Sequence, residues 1–215
     1  MILTKEQLFK RVAADTRGVA TAPTDGSNEW NQWSEWADQE LFNFGEVNDW
    51  PEFKNLNYTV QAQQSGTSLA LPRNFKKLAG YVDINGDLNR EVDSDIFTKL
   101  STGSSAVRVG FDNGWFLNWK TPLLSALSVV VPIQFYPTGL ASPTSAIAIR
   151  NPEYLSKRLQ VRILKYRQDP IFTEIEAEAD LLLRQMLENE YYKHEQYASS
   201  MSDHLSDKGF ILGED

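Results

Sequence analysis

The chain contains no cysteine. No disulfide can brace it, and no thiolate can serve as nucleophile or zinc ligand. Histidine is scarce: His194 and His204 are the only two. No acids frame them at a fixed spacing, so they make a poor metal site and read as surface residues. A Ser-His-Asp triad would have to borrow one of them, and no G-x-S-x-G elbow supplies the serine. Neither a P-loop nor a G-x-G-x-x-G is present. Long apolar runs are missing as well. The longest, residues 127–133, is interrupted by Ser128 and Pro132 and is far too short to span a bilayer. The opening Met1-Ile2-Leu3-Thr4-Lys5-Glu6 lacks a basic region followed by a long apolar stretch. A signal peptide is therefore not expected, and cytosolic synthesis is.

What the chain does have is aromatic mass. Its 215 residues include 6 Trp, 11 Phe and 8 Tyr, against 23% charged residues. That composition belongs to a folded chain with room for a sizeable core. The net charge of −8 is unevenly spread. Residues 1–168 carry 18 Lys/Arg and 17 Asp/Glu, whereas residues 169–215 carry 3 and 12. An acidic C-terminal fifth repels phosphate backbones and argues against ordinary nucleic-acid binding.

Patterning predicts helices, then strands, then helices. Thr4-Lys5-Glu6-Gln7 fits a capping box, Leu8, Phe9 and Val12 follow as a helical stripe, and Gly18 ends it. A second helix after Ser27 or Asn28 carries Trp30, Trp33, Ala37, Leu41 and Phe44 on one face, with Gly45 as its stop. Pro51 opens one more helical turn. From about residue 57 to 137, short β-rich runs at 58–60, 69–71, 78–84, 106–111, 115–119 and 129–136 read as strands. Asn85-Gly86 and Asn113-Gly114 are hairpin signals. Asn151-Pro152-Glu153 starts a helix with the stripe Leu155, Leu159, Ile163 and Tyr166, for which an alternating strand is the rival reading. A long helix over about 171–198 follows the break at Asp169-Pro170. The expected organisation is N-terminal helices over 1–56, a β region over 57–149, C-terminal helices over 150–198 and an extended tail over 199–215. The expected fold class is α+β: a helical bundle from the N- and C-terminal helices with a central antiparallel β insertion, a small sandwich or partial barrel.

Candidate chemistry is thin. Asp83-Ile84-Asn85-Gly86-Asp87-Leu88-Asn89 looks like a calcium loop, but Leu88 occupies the position that needs glycine and Ser94 the one that needs a bidentate Glu. A hairpin turn is the better reading. On a helix, Glu174 shares a face with Glu178, and Glu176 with Asp180. Paired carboxylates can serve a hydrolase or hold a metal, but a solvated or partner-facing helix start is the stronger reading. Trp30, Trp33, Trp36 and Trp50 could form a sugar-stacking platform; at helical spacing, core or interface is commoner. Trp36 lies off the main stripe, where it can cover a neighbour. No catalytic residue, metal site or cofactor is expected.

One constellation stands out. The helix from Arg150 to Arg167 carries Lys157, Arg158, Arg162 and Lys165 against a single Glu153, and the acidic helix follows at once. Opposite charges on adjacent segments can pair within one chain or between copies in an oligomer.

In order along the chain stand Asp49-Trp50-Pro51-Glu52-Phe53, Leu69-Ala70-Leu71-Pro72-Arg73-Asn74-Phe75-Lys76-Lys77-Leu78, the Asn85-Gly86 hairpin, Gln134-Phe135-Tyr136-Pro137-Thr138 and Ile149-Arg150-Asn151-Pro152-Glu153-Tyr154-Leu155. This arrangement resembles the head-to-tail adaptor (connector, or tail tubular A-like) proteins of tailed bacteriophages, through a Leu-Pro-x-x-Phe segment and a Pro-x-Glu-Tyr-like segment. The resemblance implies a structural virion protein of the neck or tail, assembled in the host cytoplasm and without catalytic activity. It implies a homo-oligomeric ring, expected to be dodecameric, that joins the portal protein to tail or nozzle proteins. DNA would pass through the lumen as cargo, and no membrane would be involved. Interface candidates are Trp36, Arg158, Arg162, Glu174, Glu178 and Phe210. Another virion subunit (head completion or tail hub) and a carbohydrate-binding module remain the alternatives.

Overall fold

A computed structural model describes the backbone of residues 3–206 and the side chains of residues 3–191. In chain order the elements are α1 (Lys5–Arg17), α2 (Asn28–Val47), a 3-10 turn (Pro51–Phe53), β1 (Lys54–Ala62), β2 (Ser68–Ala70), β3 (Phe75–Leu78), β4 (Val82–Ile84) and β5 (Asp87–Glu91). There follow α3 (Ser94–Lys99), β6 (Ala106–Phe111), β7 (Trp115–Trp119), β8 (Leu127–Phe135), α4 (Pro152–Tyr166) and α5 (Phe172–Ser206). The chain forms two compact units, one from Met1–Glu40 with Leu140–Asp215 and one from Leu41–Gly139.

The first unit is helical. The Thr4 side chain accepts from the Gln7 N–H and the Gln7 side chain accepts from the Thr4 N–H, which closes the capping box of α1. Gly18, at φ 71°, ends the helix in the left-handed conformation that glycine adopts without steric cost. Leu8, Phe9 and Val12 are fully buried. Phe9 meets Trp30 and Trp33 of α2 edge-on, with ring centroids at 4.7 and 5.6 Å. Lys5 is buried too; its Nζ donates to the Leu140 carbonyl at 2.7 Å, so the charge is not left bare.

The second unit is built on β8, which pairs antiparallel with β1, β3 and β4. Its alternate residues Val129, Val131 and Ile133 are fully buried, as period-2 patterning of a half-buried strand requires. Val82, Val107 and Leu117 complete the centre of this core. The strand path is β1-β8-β4-β5-β6-β7-β2, with β3 also on β8. The ends of the path, β1 and β2, approach each other.

This arrangement corrects the expected fold class. Helix and strand are both present, but there is no bundle of flanking helices around a small antiparallel insertion. Instead, among the described residues, eight strands form one nearly closed, barrel-like sheet and five α-helices accompany it. The sheet is not wholly antiparallel, because β5 and β6 run parallel. That pair needs a crossover, and α3, which the sequence reading missed, provides it. The expected strand over 78–84 is two strands, parted at Ala79-Gly80-Tyr81. Helix α2 also supplies both units: Trp30, Trp33 and Ala37 belong to the first, Leu41 and Phe44 to the second. Of the expected extended tail over 199–215, residues 199–206 continue α5 as helix, and 207–215 lie outside the described residues.

Turn chemistry follows the sequence. Ile84 pairs with Asp87 across a two-residue loop, and Asn85 and Gly86 both have positive φ, 58° and 86°. That is a type I′ hairpin, further closed by the Gly86 N–H donating to Asp83 Oδ1 at 2.8 Å. The calcium look-alike is thus a turn. Gly45 has a different role from the expected stop, since α2 continues to Val47. A Cβ at Gly45 would lie 2.4 Å from Pro137 Cδ, so close approach requires the glycine there.

The C-terminal end of α2 is closed by a lysine. Lys76 Nζ donates to the carbonyls of Gly45 at 2.7 Å and Asn48 at 3.1 Å, and pairs with Asp49 at 3.3 Å. A cation at this end also suits the helix dipole. Lys77 is the second partner of Asp49. Burial pushes the Asp49 carboxyl up, but hydrogen bonds and charge from Lys77 and Lys76 outweigh it and hold the group below its ordinary value. A carboxyl depressed in the folded state stabilises fully above its unfolded pKa, about 4. That contribution disappears as pH falls through the folded value. Asp49→Asn should therefore cost about 1 kcal/mol at neutral pH, with its urea midpoint converging on wild type in acid. Curves that stay parallel would contradict this account.

Candidate functional site

The singled-out charges all lie on α4 and α5 in the first unit. Asn151 caps α4 by accepting from the Glu153 N–H at 3.1 Å, with Pro152 at the first helical position. Tyr154, Leu155, Leu159 and Ile163 then face inward and are buried. The basic residues flank that stripe, and a short turn through Asp169 brings α5 back antiparallel, with Asp169 Oδ1 accepting from the Ile171 N–H at 3.1 Å.

The two helices are joined by charge. Lys165 Nζ meets Glu176 Oε1 at 2.8 Å, Lys157 meets Glu178 at 2.6 Å and Arg158 meets Asp180 at 2.6 Å. Arg150 pairs with Glu190 farther along. Opposite charges on adjacent segments are thus satisfied inside the chain. Exposed pairs of this kind contribute up to about 1 kcal/mol each, so they fix register more than they supply stability. Arg158 also donates to Tyr154 Oη at 3.3 Å. Burial raises the Tyr154 pKa, with Arg158 opposing the shift, so the phenol stays neutral at physiological pH.

The interface candidates separate accordingly. Arg158 and Glu178 are committed to the α4–α5 hairpin. Arg162 turns the other way: its Nε donates to Glu40 Oε1 of α2 at 2.6 Å, and the Glu40 side chain is 8% exposed. Glu174 is exposed and joins no ion pair among the described residues. Trp36 is half-buried and packs against Tyr166, with centroids 5.7 Å apart. Phe210 lies outside the described residues, as do the side chains of His194 and His204. Glu40 is the partner that sequence reasoning missed. It reads as one more acid on a polar helix flank, and nothing local marks it as buried.

The acidic run does not gather into a paired-carboxylate site, because Glu176, Glu178 and Asp180 are each drawn to a different cation of α4 or share Arg158. Among the described residues, no group of three His, Asp or Glu could hold a metal ion. Trp30, Trp33 and Trp50 are 5%, 2% and 1% exposed, so they cannot form a stacking platform for a sugar. No helix among the described residues is long and apolar enough to cross a membrane.

The partnering of α5 is lopsided. The helix has 35 residues and α4 has 15. The ion pairs run from Lys165–Glu176 to Arg150–Glu190, so α4 begins opposite Glu190. Residues 191–206 continue the helix for about four more turns, roughly 24 Å. No family model matches the chain, and no curated protein matches it either.

Proposed function

We propose that this chain is a structural subunit of a tailed-phage virion, a head-to-tail adaptor that forms a ring between portal and tail and lets DNA pass through its lumen. The observation that carries the reading is the overhang of α5 beyond α4. An isolated helix of a few turns is marginal in water, and most helical stability comes from packing against another surface. A helical arm longer than the helix it pairs with is suited to a neighbouring subunit or a portal ring. The order of motifs along the chain supports the same reading. Lys157, Arg158 and Lys165 of α4 are already committed to α5, which leaves the arm and the acidic outer side of α5, with Glu174 and Glu188 exposed, for partner or lumen. An acidic lumen would let DNA slide without adhering. The role is mechanical and includes no catalytic step.

The test is a chain ending at Glu190, mixed with portal rings from the same source. The shortened chain is expected to keep the circular dichroism and urea midpoint of the compact units, while addition to portal rings falls at least tenfold. Assembly equal to that of the intact chain would overturn the reading of the arm.

A further inference from the structure

The first unit exposes aromatic and aliphatic surface where α4 turns into α5. Tyr166, the last residue of α4, is 68% exposed, and its ring meets the half-buried Trp36 of α2 with centroids 5.7 Å apart. Ile171, just before α5, is 46% exposed. Single exposed apolar residues are ordinary, but several at one end of a helix pair mark an interaction surface. Positive charge without an acid lies beside them. Arg167, next after Tyr166, is exposed and donates to the Thr16 carbonyl at 3.3 Å, yet it joins no ion pair among the described residues. Its charge bears on Arg17, which burial and Arg167 together hold below its ordinary pKa. Arg17 has Glu29 as its ion-pair partner, so that acid is already taken.

A segment complementary to this surface stands in the same sequence. Phe210-Ile211-Leu212 lies between Gly209 and Gly213, and Glu214-Asp215 follows. An apolar triplet with two carboxylates behind it matches an aromatic surface with an unpaired guanidinium beside it. Reach decides which copy supplies the triplet. Helix α5 starts at this surface, and its 35 residues extend about 52 Å. Leu212 stands six residues past Ser206, and six fully extended residues span about 20 Å. The triplet therefore falls about 30 Å short of the surface on its own chain. We propose that Phe210-Ile211-Leu212 of one chain packs on the Trp36–Tyr166 surface of a second copy, with Glu214 and Asp215 meeting Arg167. Donor segment and receiving surface are different parts of the chain, so the contact is heterologous and repeats from copy to copy, as a closed ring requires. The inference rests on the ring-forming role proposed above and supplies its subunit contact.

The chain lacks cysteine, so engineered thiols report the contact without background. Gly213→Cys places a thiol just after the triplet, and Gln39→Cys places one on the exposed side of α2, three residues from Trp36. The two single variants, one carrying a tag that shifts its mass, are mixed under mild oxidation, alone and with portal rings from the same source. A mixed disulfide dimer is expected on non-reducing gels, about tenfold above the yield with Leu88→Cys, an exposed control on β5. Phe210→Asp in the Gly213→Cys chain should lower the yield about tenfold, and Arg167→Glu in the Gln39→Cys chain about threefold. The double variant Gln39→Cys/Gly213→Cys should form multimers and close no intramolecular disulfide. A yield equal to the control both with and without portal, a yield indifferent to Phe210→Asp, or a closed monomer overturns the proposal. Portal addition by the intact chain would then still uphold the adaptor reading. A cross-link from a chain that never adds to a portal upholds this contact and overturns the adaptor reading.

Discussion

Trp50→Ala is expected to lower the stability of the second unit by about 3–5 kcal/mol, near the upper end for a single core substitution. Trp50 is 1% exposed and stacks on Phe44 with centroids 4.3 Å apart and planes 7° from parallel. Its indole N–H donates to the Phe44 carbonyl at 2.7 Å, which satisfies one of the carbonyls near the C-terminal end of α2. Its own carbonyl accepts from the fully buried Gln134 side chain at 3.1 Å. Alanine removes the ring, opens a cavity beside Phe44 and Phe53, and removes the indole hydrogen bond to the Phe44 carbonyl. Trp50→Phe retains most of the stack and should cost about 1–2 kcal/mol through the lost hydrogen bond and reduced volume. Urea denaturation of the three proteins measures both values. A loss below 1 kcal/mol for Trp50→Ala would mean that the α2–β8 junction is not held as described.

Arg162→Met is the second large effect. Glu40 is buried, and Arg162 is its ion-pair partner at 2.6 Å. Removing the guanidinium strands a carboxylate in the helical unit. Stranding a buried charge typically costs 3–5 kcal/mol, and about 3 kcal/mol is expected here because the Arg162 side chain is partly exposed. The double variant Arg162→Met with Glu40→Leu should recover most of the loss, since a well-packed apolar pair often replaces a buried ion pair without cost. Thermal melts of the four proteins in the cycle decide this. Additive losses would show that the two side chains do not act as a pair.

Local chemistry was legible in the sequence wherever one short segment decides it. Thr4 with Gln7, Gly18 at the end of α1, Asn85-Gly86 in its hairpin and Asn151-Pro152 at the start of α4 all sit where residue type alone directs them. The stripe Trp30, Trp33, Ala37, Leu41 and Phe44 was legible as a buried face. That α2 divides this face between two units was not, because periodicity gives the direction of a side chain and not its partner. The parallel β5–β6 pair and its crossover helix depend on non-local pairing, and α3 is only 6 residues long, too short for a helical period to register. The opposite charges of α4 and α5 were plain. Their use within the chain depends on the tight turn at Asp169, which sets the helices antiparallel, and Arg162 departs from the pattern because Glu40 meets it from α2.

The most direct test of the assembly role is native mass spectrometry of the intact chain mixed with portal rings from the same source. The adaptor reading predicts stoichiometric addition of many copies to each portal ring, whether or not the free chain is monomeric. A chain that remains monomeric with every portal offered would contradict it.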